Sequence, residues 1–173
     1  MRVKCVAMRI FIRIVQRLIN LFTSARFVVE GDSMSPTLAS GQSVVAVRSR
    51  RSWNRLERGD IVVFRHLEFP GRVFIKRLVG LPDEQVWVDK GAIYIDDVLL
   101  DEPYLDGRDV SRQDHNRPWW NGPNELFLVG DNRQNSQDTR TVGPVDGGLI
   151  LGRVWLRCWP LSAWSMEPGR GRK

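Results

Sequence analysis

Arg72-Val73-Phe74-Ile75-Lys76-Arg77-Leu78-Val79, closed by Gly80-Leu81-Pro82, is the stretch on which the reading of this chain turns. β-Branched and aromatic residues dominate it, and a glycine and a proline end it, which predicts a strand. Side chains alternate across a strand, so Val73, Ile75, Arg77 and Val79 share one face, with Phe74, Lys76 and Leu78 on the other. Lys76 is then the one polar residue on an apolar face. Lost hydration disfavours an ammonium and lowers its pKa. A shift from about 10.4 to about 8 costs the charged form roughly 3 kcal/mol, which partial burial supplies. An amine that is neutral near pH 7 to 8 is a competent general base. The competing arrangement is a lysine that snorkels to a sheet edge.

Outward from this strand the texture is similar. Phe27-Val28-Val29, Ser43 to Val47, Ile61 to Phe64, Leu126 to Val129 and Leu149 to Leu156 are further short strands. Val86-Trp87-Val88 and Ala92 to Ile95, joined through Asp89-Lys90-Gly91, carry a hairpin signal. Many short strands between turn residues predict a mainly β domain over residues 25–165. The polar segment from Leu105 to Asn124, with Pro118, Pro123 and the pair Trp119-Trp120, reads as a long loop or excursion within it. Residues 166–173 read as a disordered basic tail.

Residues 1–24 differ in kind. VKCVAMRIFIRIVQRLINLF, residues 3–22, has Arg9, Arg13 and Arg17 four residues apart on one stripe, with apolar residues over much of the remaining surface. A spanning helix needs about 18 to 20 largely uncharged residues, which this segment lacks. The pattern predicts a basic amphipathic helix lying in a membrane interface. A mitochondrial targeting segment has the same Arg-rich, acid-free character.

The chain has 173 residues and a net charge of +6, concentrated at its two ends. That excess predicts attraction to anionic lipid. The near-balanced middle argues against a nucleic-acid partner. The two cysteines, Cys5 and Cys158, lie far apart with no CxxC spacing, and there are two histidines, His66 and His115. Zinc sites and Ser-His-Asp triads have little to be built from. No cofactor and no metal are expected.

Two further stretches carry reactive groups. Gly31-Asp32-Ser33-Met34-Ser35-Pro36-Thr37-Leu38 follows the first strand and reads as a tight turn. Gly31 admits positive φ, and Pro36 biases Ser35 towards an extended backbone. A hydroxyl held in such a turn is exposed and fixed in direction, as a nucleophile must be. Gly-Asp-Ser is also ordinary turn chemistry. Gly130-Asp131-Asn132-Arg133-Gln134-Asn135-Ser136-Gln137-Asp138-Thr139-Arg140 follows a buried strand and is dense in side chains that bond their own backbone. Asp138 and Arg140 can pair there, Asp131 can reach a basic neighbour such as Arg77, and Ser136 can orient an amine. Without such partners the segment is a polar surface turn.

Together SMSPTL, GDIVVF, FIKRLVGLP and GDNRQNSQDTRTVGPV resemble, in order and approximate spacing, the boxes of type I signal peptidases, including the mitochondrial inner-membrane peptidases. The resemblance covers roughly residues 27 to 160. It implies a coiled β-barrel or sheet domain bearing a Ser/Lys dyad, anchored to a membrane. Such an enzyme removes signal peptides from exported preproteins after small residues, typically Ala-x-Ala. By position, Ser33 matches the nucleophile and Lys76 the general base, with the Ser33 backbone N–H in the oxyanion hole. Ser136 matches the serine that orients the lysine, Asp131, Asp138, Arg140 and Arg77 the supporting charges, and Met34 lies in the nucleophile box against substrate. Ser35 is the rival nucleophile, but the motif assigns the serine before Met. The implied location is the cytoplasmic (inner) membrane with the catalytic domain on its outer side. The mitochondrial inner membrane, with a partner subunit, is the alternative.

Two departures stand out. Some members carry a hydroxyl residue two positions before the nucleophile, where this chain has Gly31. Loss of one oxyanion donor is worth roughly 2.7 to 4 kcal/mol if nothing replaces it. The arginines of residues 1–24 also sit where most members have an apolar anchor. Two other classes compete. A self-cleaving repressor-type Ser/Lys protease needs an upstream DNA-binding domain and an Ala-Gly site, and this chain has neither. A non-catalytic basic membrane-binding module accounts for the charged ends but not for the series of boxes.

Overall fold

The computed structural model describes residues 24–48, 56–67, 69–105, 107, 118–160, 162 and 164–166. The amphipathic segment at residues 3–22 lies outside them. Among the described residues twelve strands are formed: β1 (Ser24–Val28), β2 (Ser43–Arg48), β3 (Ile61–Arg65), β4 (Val73–Gly80), β5 (Gln85–Asp89), β6 (Ala92–Ile95), β7 (Val98–Leu99), β8 (Pro118–Trp120), β9 (Glu125–Val129), β10 (Val145–Asp146), β11 (Ile150–Trp159) and β12 (Ser165–Met166). The protein is mainly β, as its short apolar runs predict. A four-residue helix, α1 (Thr139–Val142), follows the polar loop after β9.

The larger sheet runs β1-β2-β11-β3-β4-β9-β10, with β12 paired to β11, and a second sheet runs β7-β6-β5-β8. β11 carries register shifts against both of its neighbours, between Val154 and Leu156, Arg157 and Trp159, and Ile150 and Gly152. Extra residues of this kind bend a strand and raise its twist. The larger sheet therefore curls around a core on each side of β3. Ile61 and Val63 join Val29, Met34, Leu38, Val44, Ala46 and Val154 in one cluster. Val62 and Phe64 join Leu78, Leu126 and Leu128 in another. β3 is buried on both faces, which explains why its sequence is continuously apolar.

β4 crosses from one environment to another. Its first residue is exposed and its last five are buried. Phe74 and Leu78 pack in the cluster that contains Val62, while Ile75 faces the cluster that contains Met34, so the alternation expected of this strand holds. Beyond Gly80 the chain enters the second sheet, whose Val86, Val88, Ile93 and Ile95 pack on Val79, Phe127 and Val129.

Three boundaries differ from expectation. Ser24, assigned from sequence to the N-terminal helix, begins β1 opposite Val47. Pro118–Trp120, placed in the excursion, is strand β8, with Trp119 opposite Val86 and half-buried against Phe127. Proline is accepted there because β8 is an edge strand. Met166, placed in the tail, pairs with Leu156. Residues 108–117 and 167–173 lie outside the described part of the chain. Among the described residues no helix is long and apolar enough to cross a membrane.

Candidate active site

The turn after β1 is pinned on both sides of Ser33. Val29 N–H donates to the Gln42 carbonyl and Gly41 N–H to the Val29 carbonyl, closing the loop at its base. Within it Ser35 N–H donates to Asp32 and Leu38 N–H to Met34, at 3.0 and 2.9 Å. Met34 and Leu38 are fully buried, so the apolar residues flanking the serine anchor it in the core. Gly31 has φ +78°, a left-handed conformation that glycine adopts at little cost. The Ser35–Pro36 peptide is cis. Ser33 is half-buried, and its N–H makes no hydrogen bond among the described residues.

Lys76 meets this turn directly. Its Nζ lies 2.7 Å from Ser33 Oγ, and only 3% of the residue is exposed. Burial lowers its pKa to about 8. The guanidinium of Arg140 pushes the same way, while the carboxylates of Asp138 and Asp131 oppose it. As an ammonium the group donates to the hydroxyl; as an amine it can accept the hydroxyl proton.

The loop after β9 supplies the surroundings. Arg77 Nε and Nη2 clasp the two Asp131 oxygens at 2.7 and 2.5 Å, with both side chains buried. Arg77 also donates to the Gly59 carbonyl and to Thr37 Oγ1, tying β4 to the turn that carries Ser33. Arg140 pairs with Asp138 through Nε and Nη2 at 2.8 and 3.0 Å. Asp138 accepts from Gly130 N–H at 2.9 Å and caps α1 through Arg140 N–H. Burial alone would raise the pKa of Asp138; Arg140, the Gly130 N–H and the Ser136 hydroxyl outweigh it and hold the carboxylate ionised.

Ser136 packs against Gly130 in the same loop as Asp138, and Lys76 Nζ is hydrogen-bonded to Ser33 Oγ. Gly130 is the hinge of the assembly. A Cβ at this residue would lie 2.2 Å from Ser136 Oγ and 2.5 Å from the Ser33 carbonyl oxygen. The absent side chain is what lets the two loops touch. Asn132 completes the junction, its N–H donating to the Ser33 carbonyl at 3.0 Å and its Nδ2 to the Asp32 carbonyl at 3.2 Å.

A groove of about 640 Å³ opens at the pair. Val28, Val29 and Glu30 form one wall, residues 71–75 form the other, and Ser33, Met34 and Lys76 close it. β1 is an edge strand, and from Val73 to Lys76 β4 is paired only on its β3 side among the described residues. Among the described residues both strands thus present a sheet edge at the groove, a setting into which an extended chain can add as a strand.

Some partners were not singled out from sequence. Arg133 and Asn132 were visible as part of the GDNR box, but their roles depend on contacts with Gly91, Glu102 and Ser33 that no local pattern specifies. Tyr104, whose ring covers Arg77, left no such signal.

The family model described as "Signal peptidase, peptidase S26" matches residues 2–159. The chain belongs to this family of proteolytic hydrolases, the signal peptidases. It is 31% identical over 160 residues to a signal peptidase I from Bacillus caldolyticus, with 86% of this chain and 87% of the relative covered. A probable signal peptidase I-1 from Synechocystis is 32% identical over 155 residues, covering 85% of this chain and 77% of the relative. An inactive signal peptidase IA from Staphylococcus aureus is 27% identical over 154 residues, with coverage of 86% and 87%. A crystal structure of a signal peptidase I from Enterococcus faecalis V583 aligns with a TM-score of 0.48 at 28% identity, covering 57% of this chain and 95% of that one.

Proposed function

We propose that this protein is an active, membrane-associated endopeptidase that removes signal peptides from exported preproteins by a Ser33/Lys76 dyad. The family includes relatives named inactive, so membership alone does not assign activity. The observation that carries the assignment is the 2.7 Å contact between a buried amine and the Ser33 hydroxyl.

Lys76, neutral in an appreciable fraction near pH 8, takes the Ser33 proton as Oγ attacks the scissile carbonyl. The uncommitted Ser33 N–H receives the developing oxyanion. The Lys76 ammonium returns its proton to the leaving amine as the peptide bond breaks. A water deprotonated by the same amine then hydrolyses the acyl-enzyme. Asp131, Arg77, Asp138, Arg140 and Ser136 hold the loops that set this contact. Met34 borders the groove beside the scissile bond. An extended peptide lying between Val28–Glu30 and residues 71–75 would present its backbone to both walls. Small residues near the cut, as in Ala-x-Ala, suit a chain pressed this closely against strand backbone.

Membrane association is supported by the exposed apolar side chains around the same end of the larger sheet. Val28 and Trp159 lie on one rung, each opposite Ser43, and Trp164 and Met166 follow close by on the chain; all four are about half exposed. Tryptophan favours the membrane interface. The charged segment at residues 3–22 would add attraction to anionic lipid. The site faces outward from the cytoplasmic membrane in this reading.

The deciding experiment is cleavage of a preprotein carrying an Ala-x-Ala site by the wild-type chain and by Ser33→Ala and Lys76→Ala. Processing by the wild type and loss in both variants, with unchanged melting curves, supports the dyad. Full processing by either variant excludes it.

A further inference from the structure

Two loops and a strand form the site, and a third contributor reaches it from the segment that follows the second sheet's β7. After β7 the chain runs through Glu102-Pro103-Tyr104-Leu105, a single 3-10 turn anchored by buried Leu105. The Tyr104 ring lies over the guanidinium of Arg77, whose Cζ is 3.7 Å from the ring centre. The Tyr104 hydroxyl donates to Glu102. Glu102 in turn receives both terminal nitrogens of Arg133, one of them at 2.9 Å. Arg133 spends its other donors on the carbonyls of Gly130, at 3.2 Å, and of Gly91 in the β5–β6 turn, at 3.1 Å.

Resting on the peptidase reading above, we infer that Tyr104 and Glu102 are positioning residues, a brace by which the second sheet fixes the Ser33–Lys76 contact. The brace grips the site at two points. Tyr104 covers Arg77, the neighbour of Lys76 on β4 and the partner of Asp131. Glu102 holds Arg133, which carries the Gly130 carbonyl and so the residue against which Ser33 and Ser136 rest. A guanidinium whose flat face is closed by a ring keeps its in-plane donors for Asp131, Gly59 and Thr37 and is shielded from water there. Without the ring, water reaches the Arg77–Asp131 pair, the pair loosens, and the two loops lose their common reference. Neither Tyr104 nor Glu102 touches Ser33 or Lys76, so their effect passes through Arg77 and Arg133.

The ring and the hydroxyl separate cleanly. Tyr104→Phe keeps the stacking surface and Tyr104→Leu removes it. Two readouts apply to the full chain: kcat and KM for a presequence peptide, and the titration midpoint of Lys76 followed by its ¹³Cε resonance. Asp138, Arg140 and Asp131 are the charged groups that act on Lys76, and all three are unchanged in these variants.

We expect Tyr104→Phe to stay within about twofold of wild type, and Tyr104→Leu to lose about tenfold in kcat with KM unchanged. The Lys76 midpoint in Tyr104→Leu should rise by about half a unit or more as the amine regains water. A folded Tyr104→Leu protein with wild-type kcat and an unmoved midpoint overturns the brace. If Tyr104→Leu does not fold, Glu102→Gln, which keeps the shape but removes the negative charge that holds Arg133, is read in the same way. Should the wild-type chain cleave no presequence, the peptidase reading fails by itself, and the Lys76 midpoint in the variants still decides the brace.

Discussion

Asn132 donates its backbone N–H to the carbonyl of Ser33 at 3.0 Å, joining two loops about one hundred residues apart in sequence. The bond fixes the height of the serine relative to the buried charges behind it. It is possible because Gly130, two residues earlier, leaves room for the Ser33 carbonyl.

Gly130→Ala should therefore separate the loops. Its methyl would overlap both Ser136 Oγ and the Ser33 carbonyl oxygen, the second of which is backbone and cannot swing aside. We expect at least a tenfold loss of kcat, about 1.4 kcal/mol or more in transition-state terms, together with a lowered melting temperature. Steady-state kinetics with a presequence peptide would check it; an unchanged kcat would show that the junction is dispensable.

The pH dependence follows from Lys76. Its pKa falls from 10.5 to about 8, chiefly through burial, so the basic form accumulates as pH rises through 8. The cleavage rate should climb between pH 7 and pH 9 and then level. A flat profile from pH 6 to 10 counts against Lys76 as base.

Stability depends on pH with the same sign as for a salt-bridged carboxylate, but here the rise is the relief of a burial penalty. The unfolded chain holds the Lys76 proton up to about 10.5 and the folded chain only to about 8, so stability gained from this group rises with pH across that window. Below pH 8 both states are protonated and the full burial penalty applies. Lys76→Met should accordingly stabilise the protein at pH 7 by about 2 to 3 kcal/mol while abolishing cleavage. Denaturant titrations at pH 7 and pH 10 would measure this, the gain shrinking at the higher value.

Asp131→Ala should act in the other direction. It leaves the Arg77 guanidinium buried beside Lys76 without its carboxylate, a change typically costing about 3 to 5 kcal/mol. Chemical denaturation would detect the loss. A variant as stable as wild type would mean that the bonds Arg77 already makes to Thr37 and Gly59 suffice to hold it.

Trp159→Ala combined with Trp164→Ala should weaken partitioning onto anionic vesicles and leave cleavage of a short soluble peptide within about twofold, since neither side chain lines the groove. Co-sedimentation with vesicles, set beside the peptide assay, distinguishes a membrane-facing surface from a part of the catalytic site.

Much of this arrangement was legible from sequence because it depends on local rules. Alternation along β4 placed Lys76 among apolar neighbours and predicted the direction of its pKa shift. The pairing of Asp138 with Arg140 and the reach of Asp131 to Arg77 followed from charge and loop composition. Other parts were hidden because they join segments far apart in the chain. Pro118–Trp120 reads as loop because its proline argues against a strand interior, yet Trp119 gains burial against Phe127 when it pairs with β5. Tyr104 sits in a short polar connection whose composition says nothing of the guanidinium beneath it.

The open flanks of β1 and of the first half of β4 bear on which precursors can be processed. A ligand taken up rung by rung along its main chain is selected for being straight before it is selected for its side chains. A proline at a rung position withholds the amide that the wall would receive, and a helical leader must unwind before it can lie between the strands. Precursors that keep the residues before their cut site uncoiled would therefore be turned over first, however similar their sequences are at the scissile bond.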